Sequence, residues 1–332
     1  MRPCVSGAIV IAVVACVLGA PVRALADETD NFTCRPLLRK DSRAALDALM
    51  NAKIQQAIDR ANRSRRGACG ADCLFRELQK GIGGSAPEPL TLIPHARFEG
   101  WIREQTGFDR CHLKFSETIY GARPYNLPWL MPIYGRIIFV TDSILLSGHV
   151  VGIDKISHFI REGHDFWRDV TEHDRDAASV LGQDLGPPRW QLGWNEYGLK
   201  GMSLTGVLSY ADLAASYFGF RFWTDLLSLG RPESFVALDP SSGRFIQVRP
   251  FTFAAYVNGA WDEGVNYSVL DPALDKEVAA ALERRSLSRP IAACRSLAAL
   301  PDARLYVNPV CLGPSSSDTV PLVSKISRPA NK

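Results

Sequence analysis

From Ser203 to Leu229 the chain is apolar on most sides: Leu204, Val207, Leu208, Ala211, Leu213, Ala214, Phe218, Phe220, Phe222, Trp223 and Leu226 leave no broad polar face. A helix of that kind is buried in a folded protein, so the rest of the chain has to be built around it. Gly230 and Pro232 supply its stop. A narrow stripe interrupts the apolar surface, made by Thr205, Ser209, Asp212, Ser216 and Gly219 at alternating spacings of four and three. Small residues there let a second helix or a ligand come close. Asp212 is the only charge in the stripe, and a buried carboxylate must be paired, hydrogen-bonded or protonated. Lys155 or His158, from a second long helix, is the expected partner.

That second helix is predicted from about Gly152 to Ala178, with Ile153, Ile156, Phe159, Ile160, Phe166, Trp167 and Val170 on its apolar side. Leu46, Met50, Ile54, Ala57 and Ala61 recur at helical spacing and predict a helix from Asp41 to about Arg66, stopped by Gly67. Shorter helices are expected from Ala71 to Lys80 and from Phe98 to Gly107. Another runs from Asp271, a capping residue followed by Pro272, to about Arg285. Strand signals are confined to Arg136–Thr141 and Phe245–Arg249. Gly81 to Pro89 reads as a loop, and residues 121 to 135, rich in Pro, Gly and aromatics, as an ordered surface loop. The expected fold class is therefore mainly α, a single helical domain over residues 27 to 312 with two central buried helices and at most a small β element. A disordered tail is expected over 313 to 332.

Arg2, the apolar run Val5 to Leu18 and the small residues Ala24-Leu25-Ala26 read as a signal peptide over residues 1 to 26. The run is shorter than the roughly 20 residues a span needs, so no integral membrane span is expected after cleavage. The mature protein is expected to be periplasmic or secreted. Val13-Val14-Ala15-Cys16 resembles a lipobox, but the apolar stretch continues past Cys16, where a lipidated protein turns polar. Setting aside Cys4 and Cys16 leaves six of the eight cysteines, and an even number in an exported chain points to disulfides. Loop economy favours Cys69 with Cys73 and Cys294 with Cys311, which leaves Cys34 with Cys111. No CxxC supports a redox role. Cleavage also removes Arg2 and Arg23, taking the formal charge from +3 to about +1, and a near-neutral surface argues against nucleic acid as a partner. Arg60, Arg63, Arg65 and Arg66 suit the C-terminus of the helix they lie on.

Chemistry is concentrated at the start of the helix from Gly152. Asp154, His158 and Glu162 are spaced by four, so on a regular helix they share one face while apolar residues cover the other. Two carboxylates and an imidazole on a rigid face can hold a divalent metal or orient a base. The structural alternative is that Asp154 compensates the helix dipole and Glu162 is ordinary surface chemistry. His149, His164 and His173 add imidazoles nearby, without the HExxH zinc spacing. Asp212 is either catalytic or half of an ion pair that fixes helix packing. In Trp261-Asp-Glu-Gly-Val-Asn-Tyr-Ser268, at most one of the adjacent Asp262 and Glu263 is expected to point into a site. Trp190, Trp194, Tyr197 and Trp261 are candidates for stacking on sugar rings.

The segments Asp154-Lys-Ile-Ser-His-Phe159 and Ser209-Tyr-Ala-Asp-Leu-Ala-Ala215 resemble those of a group of exported bacterial proteins carrying DKxxHF followed by SxADLxA. The first segment is also similar to the DKxxH of VanZ-like and small periplasmic lipoprotein families. The group resemblance covers about residues 110 to 270. It carries no activity to transfer, and it marks the same residues that the spacing selects.

No GxSxG elbow, SxxK, P-loop or GxGxxG occurs. The function expected is an envelope hydrolase, metal-assisted, acting on glycan or lipid material. His158, Asp212, Lys155 and Glu263 are its catalytic candidates, and Asp154, His158 and Glu162 its metal ligands. The competing expectation is a non-catalytic envelope protein in which Asp154, Lys155, His158 and Asp212 form a buried polar network.

Overall fold

The computed structural model describes residues 27–64, 71–83, 95–121, 139–173, 175–176, 178–180, 205–229 and 231–313. The expectations for the signal peptide, Gly67, Cys69, most of the 121–135 loop, Trp190, Trp194, Tyr197, Gly230 and nearly all of the tail fall outside these residues.

The fold is mainly α, and its sheets are small. Helix α1 (Arg43–Ser64) buries Leu46, Met50, Ile54, Ala57, Ile58 and Ala61, the face that the spacing predicts. At its start Asp41 Oδ1 accepts the Arg43 N–H at 2.8 Å. It packs against α2 (Ala71–Leu78), which continues as a π turn over Gln79–Gly83. Helix α3 (His95–Glu104) follows, with Gly107 just beyond it.

The helix expected from Gly152 is three pieces: α4 (Ile153–Ser157), a π turn over His158–Glu162, and α5 (Gly163–Glu172). It ends earlier than expected. Helix α6 (Tyr210–Leu227) is also shorter than its predicted span, because Ser209 is its N-cap and accepts the Asp212 N–H at 3.2 Å. The residues before it, Val207–Leu208, form a strand instead. Apolar residues there are consistent with either state, and the cap decides. The last helix labelled here, α7 (Pro272–Arg284), has Asp271 as its N-cap and Pro272 in its first turn, as the sequence predicts.

Helix α6 lies along α5 and the π turn. The crossing is set by glycine: a Cβ on Gly219 would overlap the backbone of Phe159, and one on Gly163 would overlap that of Gly219. The π turn also presents the Ile160 carbonyl to α6, where it accepts Trp223 Nε1–H at 2.7 Å. Around this crossing Phe159 meets Phe222, Trp261 and Tyr256 at ring separations of 5.0, 5.3 and 5.6 Å. Aromatic pairs of this kind contribute about 0.5–1.5 kcal/mol each beyond the area they bury.

Nine short strands make four small sheets among the described residues. Strand β1 (Asp27–Glu28) pairs parallel with β3 (Phe139–Val140), which lies within the strand expected over Arg136–Thr141, residues 136–138 of which fall outside those described. Strands β2 (Arg110–Cys111), β4 (Ser143–Leu146) and β5 (His149–Gly152) form an antiparallel sheet. Its β4–β5 hairpin turns on Ser147 and Gly148, both at positive φ. The remaining two pairs are β6 (Val207–Leu208) with β9 (Val269–Leu270), and β7 (Val236–Leu238) with β8 (Phe245–Gln247). Disulfides join Cys34 to Cys111 and Cys294 to Cys311, as loop economy predicts. Cys73 is also disulfide-bonded, to a residue outside those described.

Candidate functional site

Lys155 sits in the single turn of α4 and is completely buried. Its ammonium has three N–H donors, and three carboxylates converge on it. Asp154 Oδ2 lies at 2.6 Å, Asp212 Oδ1 at 2.5 Å and Glu263 Oε1 at 2.5 Å. The expectation that Asp212 is paired with Lys155 or His158 holds for both, since His158 Nε2 lies 3.5 Å from Asp212 Oδ2. Asp154, Asp212 and Glu263 are at most 4 % exposed, whereas the His158 side chain retains 14 %.

Each member is placed by a local feature. Asp154 is the second residue after strand β5, and a Cβ on Gly152 would strike both its Oδ1 and Thr29. Asp212 is in the first turn of α6, so the Ser209 cap that starts the helix also sets the height of its carboxylate. Glu263 lies in the turn after Trp261, where Oε2 accepts the Thr29 N–H at 3.1 Å and Oε1 accepts from Ser209 Oγ at 3.3 Å. Glu28, a further buried acid, accepts from Thr205 Oγ1 at 3.4 Å, and its charge acts on Lys155. The cluster thus ties the N-terminal segment, α4, the start of α6 and the 262–265 turn together.

Burial pushes the Asp154 carboxyl well above its ordinary value, with Lys155 opposing the rise and Asp212 and Glu263 adding to it. Glu263 is raised for the same reasons. For Lys155, burial works against the charge, yet Asp154, Asp212, Glu263 and Glu28 hold the ammonium well above its usual range. The lysine therefore stays charged, and Asp154 and Glu263 hold protons more readily than free carboxyls do. Three carboxyl groups around one ammonium make two acids more than it can neutralise.

Several expected residues lie elsewhere. Glu162 is buried in the π turn, not on a solvated surface, and is not in the group that Asp154, His158 and Asp212 form. The π turn breaks the regular spacing that would have stacked Glu162 on His158. Asp262 and its neighbour Glu263 face different partners, as adjacent residues must. Asp262 takes Arg35 Nη2 at 2.7 and 2.9 Å, and Asn31 Nδ2 at 3.2 Å. Trp261 is fully buried against Phe159, so it is not available to stack on a sugar. His164 is 1 % exposed and meets Gln79 Nε2 at 2.8 Å, away from the cluster. Glu28 and Thr29 were missed by sequence reasoning. The only signal for them is the acid-rich run Asp27-Glu-Thr-Asp30 after the apolar N-terminus, and nothing local tells which of those acids turns inward.

Among the described residues, ligand atoms of Asp154, His158 and Asp212 lie within 4.8 Å of one another. His158 is the member of this group that reaches toward solvent. An imidazole held by a buried carboxylate, itself fixed by a lysine, can accept a proton or bind an electrophile. Comparison with known protein families, curated proteins and solved structures finds no match for this chain.

Proposed function

We propose that the chain is an exported hydrolase of the cell envelope whose site is the His158 edge of the Lys155-centred cluster, acting on glycan or lipid material. The observation that carries this reading is the pairing of the partly exposed His158 with a buried Asp212 at 3.5 Å, in a cluster holding more acid than its own lysine neutralises. A purely structural ion pair gains nothing from surplus buried acids, because each costs desolvation that the partner must offset. The π turn at His158 fits the same reading, since such bulges often sit at functional sites.

In this reading His158 handles the attacking water, as base or as ligand, and Asp212 orients the ring. Lys155, completely buried, and Glu263, 4 % exposed, are positioning residues that hold Asp154 and Asp212 in place. Export is supported by the disulfides, and no helix among the described residues is long and apolar enough to cross a membrane. The test is hydrolysis of peptidoglycan fragments and phospholipid by the purified mature chain. The reading predicts turnover that falls at least a hundredfold in His158→Ala, with the fold unchanged by circular dichroism. Absence of cleavage of either material by the wild type would remove it.

A second reading, a non-catalytic protein with a buried network, is favoured by one feature. Glu263 joins Thr29, Ser209 and Lys155 from three separate segments, as a structural tie would. It predicts that Asp212→Asn loses stability.

A further inference from the structure

We infer that Asp154, His158 and Asp212 form a binding site for one divalent cation. The inference deepens the hydrolase reading, on which it rests only for its purpose; the binding itself is testable without any activity. Three observations carry it. The first is geometry: one ligand atom from each residue lies within 4.8 Å of the other two. Metal–oxygen and metal–nitrogen bonds of about 2.0–2.2 Å place neighbouring ligand atoms some 3–4 Å apart, so the side chains need move only slightly to close on an ion. Two oxygens and one imidazole nitrogen suit zinc or manganese better than calcium, which takes six or more oxygens.

The second observation is charge. Asp154, Asp212 and Glu263 bring three carboxyl groups to one ammonium that reaches all of them, two acids more than it can neutralise. A bound dication would balance the acids as they release their protons. The third is an open valence: Asp154 is 4 % exposed, its Oδ2 is taken by Lys155, and its Oδ1 accepts no hydrogen bond. A buried carboxylate oxygen without a partner is costly unless something positive fills its place. This Oδ1 packs beside Gly152, where a side chain would strike it and Thr29 alike.

The cation would supply a polarised water at the partly exposed His158 edge. Lys155 and Glu263 lie behind it, where Lys155 keeps Asp154 and Asp212 from repelling one another. Glu162, in the π turn, is not part of the ligand set.

The experiment is calorimetric titration of zinc and of manganese chloride into the chelator-treated full chain, with metal content of the untreated protein measured in parallel. The expected result is one ion per chain, with affinity at least a hundredfold weaker in Asp154→Ala and in His158→Ala and unchanged in Glu162→Gln. Loss of binding in Glu162→Gln with retention in Asp154→Ala would overturn the ligand set, and no saturable binding of either metal would overturn the site. His158→Gln keeps the bulk of the ring and serves if the alanine variant does not fold. Metal binding without hydrolysis would sink the hydrolase reading alone, and hydrolysis by a chain that binds neither metal would sink this inference alone.

Discussion

At the scale of single residues, the decisive group is Lys155. Its ammonium lies within 2.6 Å of three carboxyl groups in a region with almost no solvent contact, so replacing it leaves those acids uncompensated. Lys155→Met is expected to lower stability by about 3–5 kcal/mol, the usual result of breaking a buried charge cluster from one side. Denaturant unfolding measures this, and a loss below about 1 kcal/mol would show that the acids are protonated and indifferent to the lysine. Much of this neighbourhood was legible in the sequence. Asp212 stands alone as a charge in an apolar helix, which announces a buried partner, and the partner had to come from the few charged residues on the other long helix. Glu28 was not legible. Its inward position depends on a two-residue parallel pairing with Phe139–Val140, more than a hundred residues away, and no local pattern encodes that contact.

At the scale of elements, the α6 crossing is the feature on which the site depends, since it sets Asp212 against His158. Gly219→Ala tests it through opposing effects. Helix propensity alone would favour alanine by about 1 kcal/mol. The added Cβ would collide with the Phe159 backbone, and overpacking of this kind costs typically about 1–3 kcal/mol or more. Net destabilisation is expected, read from the thermal midpoint, and a stabilised variant would mean that the crossing is looser than described. The stripe of small residues foretold this close approach. The π turn was hidden because it depends on tertiary contacts. Trp223 takes the Ile160 carbonyl and Gly163 lets α6 come near, so a helix that reads as regular in sequence is widened at His158. The start of α6 was misplaced for a related reason: Ser209 reads as one small residue of a stripe, yet it serves as the cap.

At the scale of the whole molecule, the surplus of buried acid should govern the response to pH. Asp154 and Glu263 have carboxyls raised above their ordinary values, and burial raises Asp225 and Asp262 as well. Between the ordinary and the raised value, each binds more protons in the folded chain than in the unfolded one. Stability contributed by these acids is therefore present at low pH and lost as pH rises through that window. His149, lowered by burial, pulls the other way near its ordinary value, and Glu77, Asp109 and Asp239, lowered by hydrogen bonds, do so below the ordinary carboxylate range. Above about pH 5, where ordinary carboxyls are already ionised, the metal-free chain is thus expected to lose stability as Asp154, the acid raised furthest, gives up its proton, and a saturating divalent cation should remove most of that loss. A stability that rises steadily above that pH would contradict the charge balance described for the cluster.

These scales meet at Asp212, and the most direct test is the unfolding free energy of Asp212→Asn at neutral pH beside that of the wild type. Asparagine keeps the shape, removes one surplus charge and leaves Lys155 with Asp154 and Glu263. A cluster built to hold an added cation predicts a metal-free variant as stable as the wild type, or more stable, that no longer binds metal or supports turnover. A loss of about 3 kcal/mol or more would show that the Lys155–Asp212 pair exists to hold the fold together, and would contradict the account.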